Sequence, residues 1–229
     1  MRSGARFPDE SPEYREARER LLAAEIELRR ATEAAASARR GLPQGGPVPE
    51  DYELATAGPG DVGRAVRFSA LFEPGRDVLL VYSLMFSAEM ERPCDSCTSI
   101  VDSLDGAADH VAERASLAVV AKSPPERIAA HAADRGWRRV RFFSSAGTGF
   151  NRDYLAEDED GSQLPMLNAF VRDGDGVRHF WGTELLYAPW DEGQEPRHVD
   201  FIWPVWNLLD ATPVGRGTDW QPALSYAER

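Results

Sequence analysis

The sequence predicts an α/β fold, a central mixed sheet flanked by helices, with a long N-terminal helix ahead of it. Three observations carry this. Apolar strand-like runs alternate with helix-like segments through the middle of the chain, an Asp-Gly hairpin sequence follows them, and a heptad-spaced helix precedes them. At 229 residues with 42% hydrophobic side chains, the chain is long enough for one sizeable core with extensions.

The first helix begins at Ser11-Pro12-Glu13, an N-cap residue, a proline in the first turn and an acid near the positive helix end, and stops at Gly41-Leu42-Pro43. Tyr14, Leu21, Leu28 and Ala35 recur every seven residues, and Ala17, Ala24, Ala31 and Ala38 follow each of them by three, which is an a/d seam. Two partners suit such a seam: the same helix of a second subunit, giving a homodimer, or the chain's own domain, with Leu22 and Ile26 widening the buried face. Gln44-Gly45-Gly46-Pro47-Val48-Pro49 is a linker by composition, so residues 1–47 are expected to form a helical arm and linker and residues 48–229 the main domain.

Within that domain, Gly58-Pro59-Gly60 and Pro74-Gly75 mark turns around short strands at 52–54 and 66–68. A strand over 77–86, a helix over 97–114, a strand over 117–121, a helix over 125–135 and a strand over 139–144 follow. Strands at 166–172 and 177–182, joined by Asp173-Gly174-Asp175-Gly176, form a hairpin because Asp-Gly supplies the positive φ angles of tight turns. The closing segment 203–210 places Val205, Leu208 and Leu209 on one helical face. Strand, helix, strand, helix, hairpin, helix is the thioredoxin order, and the strand at 139–144 is an addition to it.

The chemistry concentrates at Pro93-Cys94-Asp95-Ser96-Cys97, which holds both cysteines of the chain and follows the apolar run 78–86. A C-x-x-C placed after a strand and opening a helix is the placement of a redox pair. The first thiol of such a pair meets unpaired backbone N–H groups and the positive end of the helix dipole, which favour its thiolate, so Cys94 is the predicted nucleophile. Cys97, one turn on, is placed to resolve a mixed disulfide. Asp95 opposes thiolate formation at Cys94, and Arg92 is the nearby cation that acts the other way.

Other readings of the pair are weaker. Zinc needs a second half-site, and His110, His131, His179 and His198 include no close pair, so no metal is expected. A peroxiredoxin places a proline seven residues before its reactive cysteine and a hydroxyl residue three before. Cys94 has Ser87 and Glu91 there, and Cys97 has Met90 and Cys94, so that motif is absent. Thioredoxin-like proteins also carry a cis-proline that faces the cysteines and docks the substrate backbone. Pro165 in Leu164-Pro165-Met166-Leu167 is the candidate, the plain alternative being a proline that only starts a strand. Ser83, Ser87, Ser144 and Ser145 lack a nucleophile-elbow context, and Gly147-Thr148-Gly149 lacks the G-K-[ST] of a phosphate loop, so no cofactor is expected. Trp181, Trp190, Trp203 and Trp206 read by default as core.

A formal net charge of −12, densest at Glu157-Asp158-Glu159-Asp160, argues against nucleic acid and anionic membrane as partners. The longest uncharged apolar stretch, 78–88, is about half the roughly 20 residues of a membrane span. Residues 1–8 have no apolar core of the signal-peptide kind, and the expectation is a cytoplasmic protein, where a close cysteine pair is a reversible couple rather than a permanent staple.

Several segments resemble one bacterial thioredoxin-like family, domain of unknown function 899. They are Tyr14-Arg15 through Glu25-Ile26-Glu27-Leu28-Arg29-Arg30, Cys94-Asp95-Ser96-Cys97 leading to Val101-Asp102-Ser103-Leu104-Asp105-Gly106, and Pro204-Val205-Trp206-Asn207-Leu208-Leu209-Asp210 with Thr212-Pro213-Val214-Gly215-Arg216-Gly217. The resemblance spans nearly the whole chain. It implies a thioredoxin-like fold and a dithiol-disulfide oxidoreductase role, with Cys94 and Cys97 matching the family's cysteine pair and an unidentified thiol or disulfide, protein or small molecule, as partner. The rival expectation is a non-catalytic thioredoxin-like binding or assembly module, or a redox sensor whose disulfide alters assembly.

Overall fold

The computed structural model describes residues 4–174, 176–192, 194 and 197–226. The chain divides between Pro43 and Gln44 into two units. The first holds helix α1 (Pro12–Arg40), whose ends match their sequence signals. Ser11 Oγ accepts the Tyr14 N–H at 3.2 Å, Glu13 sits in the first turn, Arg39 and Arg40 sit in the last, and the Gly41 N–H closes on Ser37 O at 3.0 Å. The Glu16–Arg20 pair at 2.8 Å adds a small i,i+4 contribution. No residue of α1 is buried, and Tyr14, Leu21 and Leu28 are exposed.

The second unit is built on one seven-stranded sheet. Its elements are β1 (Glu53–Gly58), β2 (Asp61–Arg67), β3 (Val78–Ser83), α2 (Asp95–Ala112), β4 (Ser116–Ala121), α3 (Pro125–Arg135), β5 (Arg141–Ser144), α4 (Phe150–Asp153), β6 (Met166–Asp173), β7 (Gly176–Gly182) and α5 (Pro204–Asp210). The strand order is β2-β1-β5-β4-β3-β6-β7. β3, β4 and β5 run parallel, whereas β6, β7, β1 and β2 join antiparallel. The β4-β3-β6-β7 block with α2 and α3 is the thioredoxin-like core, and β5 is the added strand. β4 is buried at every position, as expected of a parallel strand covered on both faces.

Side chains alternate across this sheet. Tyr82, Leu117 and Val119 face a layer formed by Ile100, Val101 and Leu104 of α2 and Ile128 of α3. Leu79, Val81, Ala118 and Val120 face an aromatic layer of Tyr52, Phe68, Phe150, Tyr154 and Phe170. Those rings meet mostly edge to face, with Tyr154 and Phe170 centroids 4.7 Å apart and an interplanar angle of 84°.

Several boundaries differ from the sequence reading, and three of the differences have a clear local reason. β3 ends at Ser83, because the Leu84 N–H turns to Val120 O at 2.9 Å and the chain leaves the sheet. α2 starts at Asp95 rather than Cys97, because Cys94 itself serves as the N-cap. The second unit starts at Gln44 rather than Val48, because the expected linker pairs with β7: Val48 N–H donates to Val177 O (2.9 Å) and His179 N–H to Gly46 O (3.0 Å). A Cβ on Gly45 would lie 2.1 Å from His179 O, so glycine is required at that position. The β6–β7 hairpin forms with Asp173 opposite Gly176, and Asp175 of the expected turn lies outside the described residues. No described helix is long and apolar enough to cross a membrane.

One buried carboxylate holds the route into β5. Asp105 of α2 is 6% exposed, and its Oδ1 accepts the N–H groups of Arg138 (3.0 Å), Arg139 (2.8 Å) and Val140 (3.0 Å). Replacing it strands several donors at once. Asp105→Ala is predicted to lower unfolding stability by about 3 kcal/mol or more in urea titration, with Asp105→Asn milder because it keeps an acceptor. A loss below about 1 kcal/mol for the alanine variant would mean the turn is held by something else.

Candidate active site

The loop between β3 and α2 is fixed before the cysteines are reached. Arg127 of α3 donates to four of its carbonyls, Ser87 O (3.4 Å), Ala88 O (2.9 Å), Met90 O (2.6 Å) and Glu91 O (3.0 Å), with its guanidinium 4.6 Å over the Phe86 ring. The Cys94 N–H then donates to Met85 O at 3.0 Å. Cys94 enters the helix in an extended conformation (φ −60°, ψ 128°), and its Sγ accepts the Cys97 N–H at 3.4 Å. The first turn is pinned from the other side by Thr98, whose Oγ1 donates to Cys94 O (3.0 Å) and lies 3.2 Å from His131 Nε2.

Both thiols are free. Cys94 is half-buried, and Cys97 is 1% exposed in the layer beneath α2. Their acidities separate sharply. A hydrogen bond from the Cys97 thiol and the backbone N–H groups of Cys97 and Ser96 bring Cys94 down to about 6, against the opposing effects of burial and the Asp95 carboxylate. Its bond to Cys94 and then burial hold Cys97 well above the usual thiol range. The pair therefore releases its first proton from Cys94. Asp95, the residue that spoke against a reactive thiol, is engaged by Arg92 at 3.0 and 3.4 Å. The donors at the helix start outweigh it.

Pro165 lies just before β6, whose first residue Met166 pairs with Ser83 at the end of β3. It therefore stands at the end of the sheet from which the cysteine loop departs. The expectation of a cis bond is corrected: no peptide bond among the described residues is cis, so the Leu164–Pro165 bond is trans. The backbone on both sides is already engaged, the Leu164 N–H on Ala156 O (2.9 Å) and the Pro165 carbonyl with His198 Nε2 (3.0 Å). Pro165 directly precedes β6, and its trans bond agrees with the plain alternative of a proline that only starts a strand.

The C-terminal segment packs on the start of α2. Trp203 Nε1 donates to Ser99 Oγ at 3.0 Å, and the Trp203 and Trp206 rings meet edge to face with centroids 5.2 Å apart. Both are buried, in line with the core reading, whereas Trp190 is exposed. A cavity of about 550 Å³ opens here, bordered by Ser96 of the cysteine motif together with Trp190, His198, Trp203 and Trp206. Among the described residues no group of three or more His, Cys, Asp and Glu side chains could hold a metal ion. His131, His179 and His198 lie within hydrogen-bonding distance of Thr98, Asn168 and Pro165 respectively.

Nothing in the sequence tied Arg127 or His131 to the cysteine loop and the start of α2, because each reaches a partner more than thirty residues away. For Cys94 the acidity has a direct readout. Iodoacetamide alkylation of the reduced protein should rise with pH around a midpoint near 6, since thiolate is lost as pH falls through the folded-state value. Cys97→Ala removes the leading donor and should move that midpoint upward. A midpoint near that of a free thiol in both proteins contradicts the assignment.

No match is found among curated proteins. Solved structures to which the chain is similar include the peroxidoxin BcpB from Mycobacterium tuberculosis, at 19% identity over 70% of this chain and 93% of that one with a TM-score of 0.46. Thioredoxin peroxidase I from Plasmodium yoelii is 18% identical over 79% of this chain and 100% of that one, with a TM-score of 0.44. A thiol:disulfide interchange protein of the thioredoxin family from Chlorobium tepidum TLS is 15% identical over 69% and 96%, with a TM-score of 0.37. The family described as "Bacterial protein of unknown function (DUF899)" matches residues 6–228, and the chain belongs to that family.

Proposed function

We propose that the protein is a thiol-disulfide oxidoreductase in which Cys94 attacks and Cys97 resolves. The observation that carries this reading is the division of acidity within one helical turn: a half-buried Cys94 held as thiolate at neutral pH, and a buried Cys97 kept protonated. The Cys94 thiolate attacks one sulfur of a substrate disulfide, the substrate S–S bond breaks, and the released thiolate takes up a proton. Cys97 then loses its proton and attacks Cys94 Sγ, which forms the Cys94–Cys97 disulfide and frees the second substrate thiol. The substrate gains two electrons and the cysteine pair loses them.

The partner is a thiol or disulfide of protein or small-molecule origin, approaching between Pro165 and the cavity beside Ser96. Stabilising the Cys94 thiolate stabilises the reduced pair, which raises the potential of the couple. Redox titration in glutathione buffers, followed by alkylation and mass spectrometry, should show one reversible two-electron couple within roughly −270 to −120 mV. Absence of an intramolecular disulfide under oxidising buffer sinks this function.

For assembly, we propose that α1 pairs with α1 of a second copy. Support comes from the exposed Tyr14, Leu21 and Leu28 on one seam of a helix that has no buried residue. Light scattering should give a dimer mass for the native protein and a monomer mass for the double variant Leu21→Glu, Leu28→Glu. An equal mass for the two proteins removes the helix from the interface.

A further inference from the structure

Resting on the exchange mechanism proposed above, we infer that the Tyr82 hydroxyl is a positioning donor that stabilises the Cys97 thiolate during resolution. Tyr82 lies on β3, between Val119 of β4 and Leu167 of β6, and is 0% exposed. Its ring belongs to the same apolar cluster as Cys97. Two buried hydroxyls among the described residues, those of Tyr82 and Ser83, lack a hydrogen-bond partner of good geometry. Strand alternation turns Ser83 to the opposite face of the sheet, so Tyr82 is the one beneath α2.

Tyr82 and Cys97 share one buried cluster, and beyond burial itself the groups that act on the Tyr82 hydroxyl are the two cysteine sulfurs, Cys97 first. A neutral thiol is a weak acceptor, and a buried O–H facing one is poorly satisfied. A thiolate in the same place is a strong acceptor, and the same O–H then makes a charge-assisted bond. The contact is thus stronger in the state the reaction must reach than in the resting state, which is the condition for a group to speed a step rather than merely hold a fold. Burial holds the phenol well above its usual range, so it keeps its proton and acts as a donor throughout. The Met85 backbone N–H is the other donor acting on Cys97.

The step balances without Tyr82 losing anything. Cys97 releases its proton, its sulfur bonds to Cys94 Sγ, the bond from Cys94 to the substrate sulfur breaks, and that sulfur leaves as a thiolate that is protonated in turn. Tyr82 lends a hydrogen bond while the charge is on Cys97.

The test follows stoichiometric dithiobis(nitrobenzoate) reacting with the reduced protein in stopped flow. Each step expels one coloured thiolate, the first on attack by Cys94 and the second on resolution by Cys97. Tyr82→Phe keeps the ring and should leave the first release within about twofold while slowing the second roughly tenfold, equivalent to about 1.4 kcal/mol. Equal slowing of both releases, or an unchanged second release, overturns the role of Tyr82 and leaves the exchange mechanism standing. Absence of a second release in the native protein instead overturns resolution by Cys97, and Tyr82's role with it. Should the phenylalanine variant fail to fold, fluorotyrosine incorporated at position 82 supplies a more acidic donor on the same ring. It should accelerate the second release selectively, and no acceleration overturns the inference.

Discussion

The Cys97 N–H to Cys94 Sγ contact at the start of α2 is the interaction on which the rest of the site depends. Helix starts are ordinarily closed by a side-chain oxygen from Ser, Thr, Asp or Asn, and here the closing atom is a sulfur. A neutral thiol is a poor substitute for a hydroxyl, whereas a thiolate is a good one. The helix and the ionisation therefore support each other: the unpaired N–H groups draw the proton off Cys94, and the resulting charge completes the cap. α2, the longest helix of the second unit, lies across the central strands and delivers that cap to the end of the sheet.

Holding the sulfur there takes backbone constraints from three directions. The Arg127 guanidinium fixes the loop ahead of Cys94 through four carbonyls, Met85 O receives the Cys94 N–H, and Thr98 locks the carbonyl behind it. Three of the four loop carbonyls lie within 3.0 Å of the guanidinium, and a guanidinium can serve several acceptors at once because its five donors form a rigid fork. A lysine has the charge without the fork. α3 thus acts on the cysteines through the loop that carries them.

Much of this was legible in the chain. The caps and heptads of α1, the limits of α3, the parallel centre and the C-x-x-C at the start of a helix all rest on patterns that neighbouring residues carry by themselves. What escaped depends on residues far apart in sequence. Asp105 reaches 138–140, Arg127 reaches 87–91, and the backbone around Pro165 is taken up by Ala156 and His198. No local pattern encodes such partners, and the Leu164–Pro165 bond, expected to be cis, is trans. α4, with four residues, is too short for helical periodicity to show.

The strand-like pairing of residues 46–48 with β7 has a consequence for solubility. A terminal strand of a sheet offers a row of unused N–H and C=O groups to any other chain that can extend beside it, and this is a common route to aggregation. Here the chain occupies part of that row itself, at Val177 O and the His179 N–H, and the close approach of Gly45 to His179 O brings its backbone against the strand. At the opposite end of the sheet, β2 is protected differently, by the outward charges of Asp61, Arg64 and Arg67. A segment that composition marks as a spacer thus doubles as a guard, making that edge a poor template for recruiting other chains.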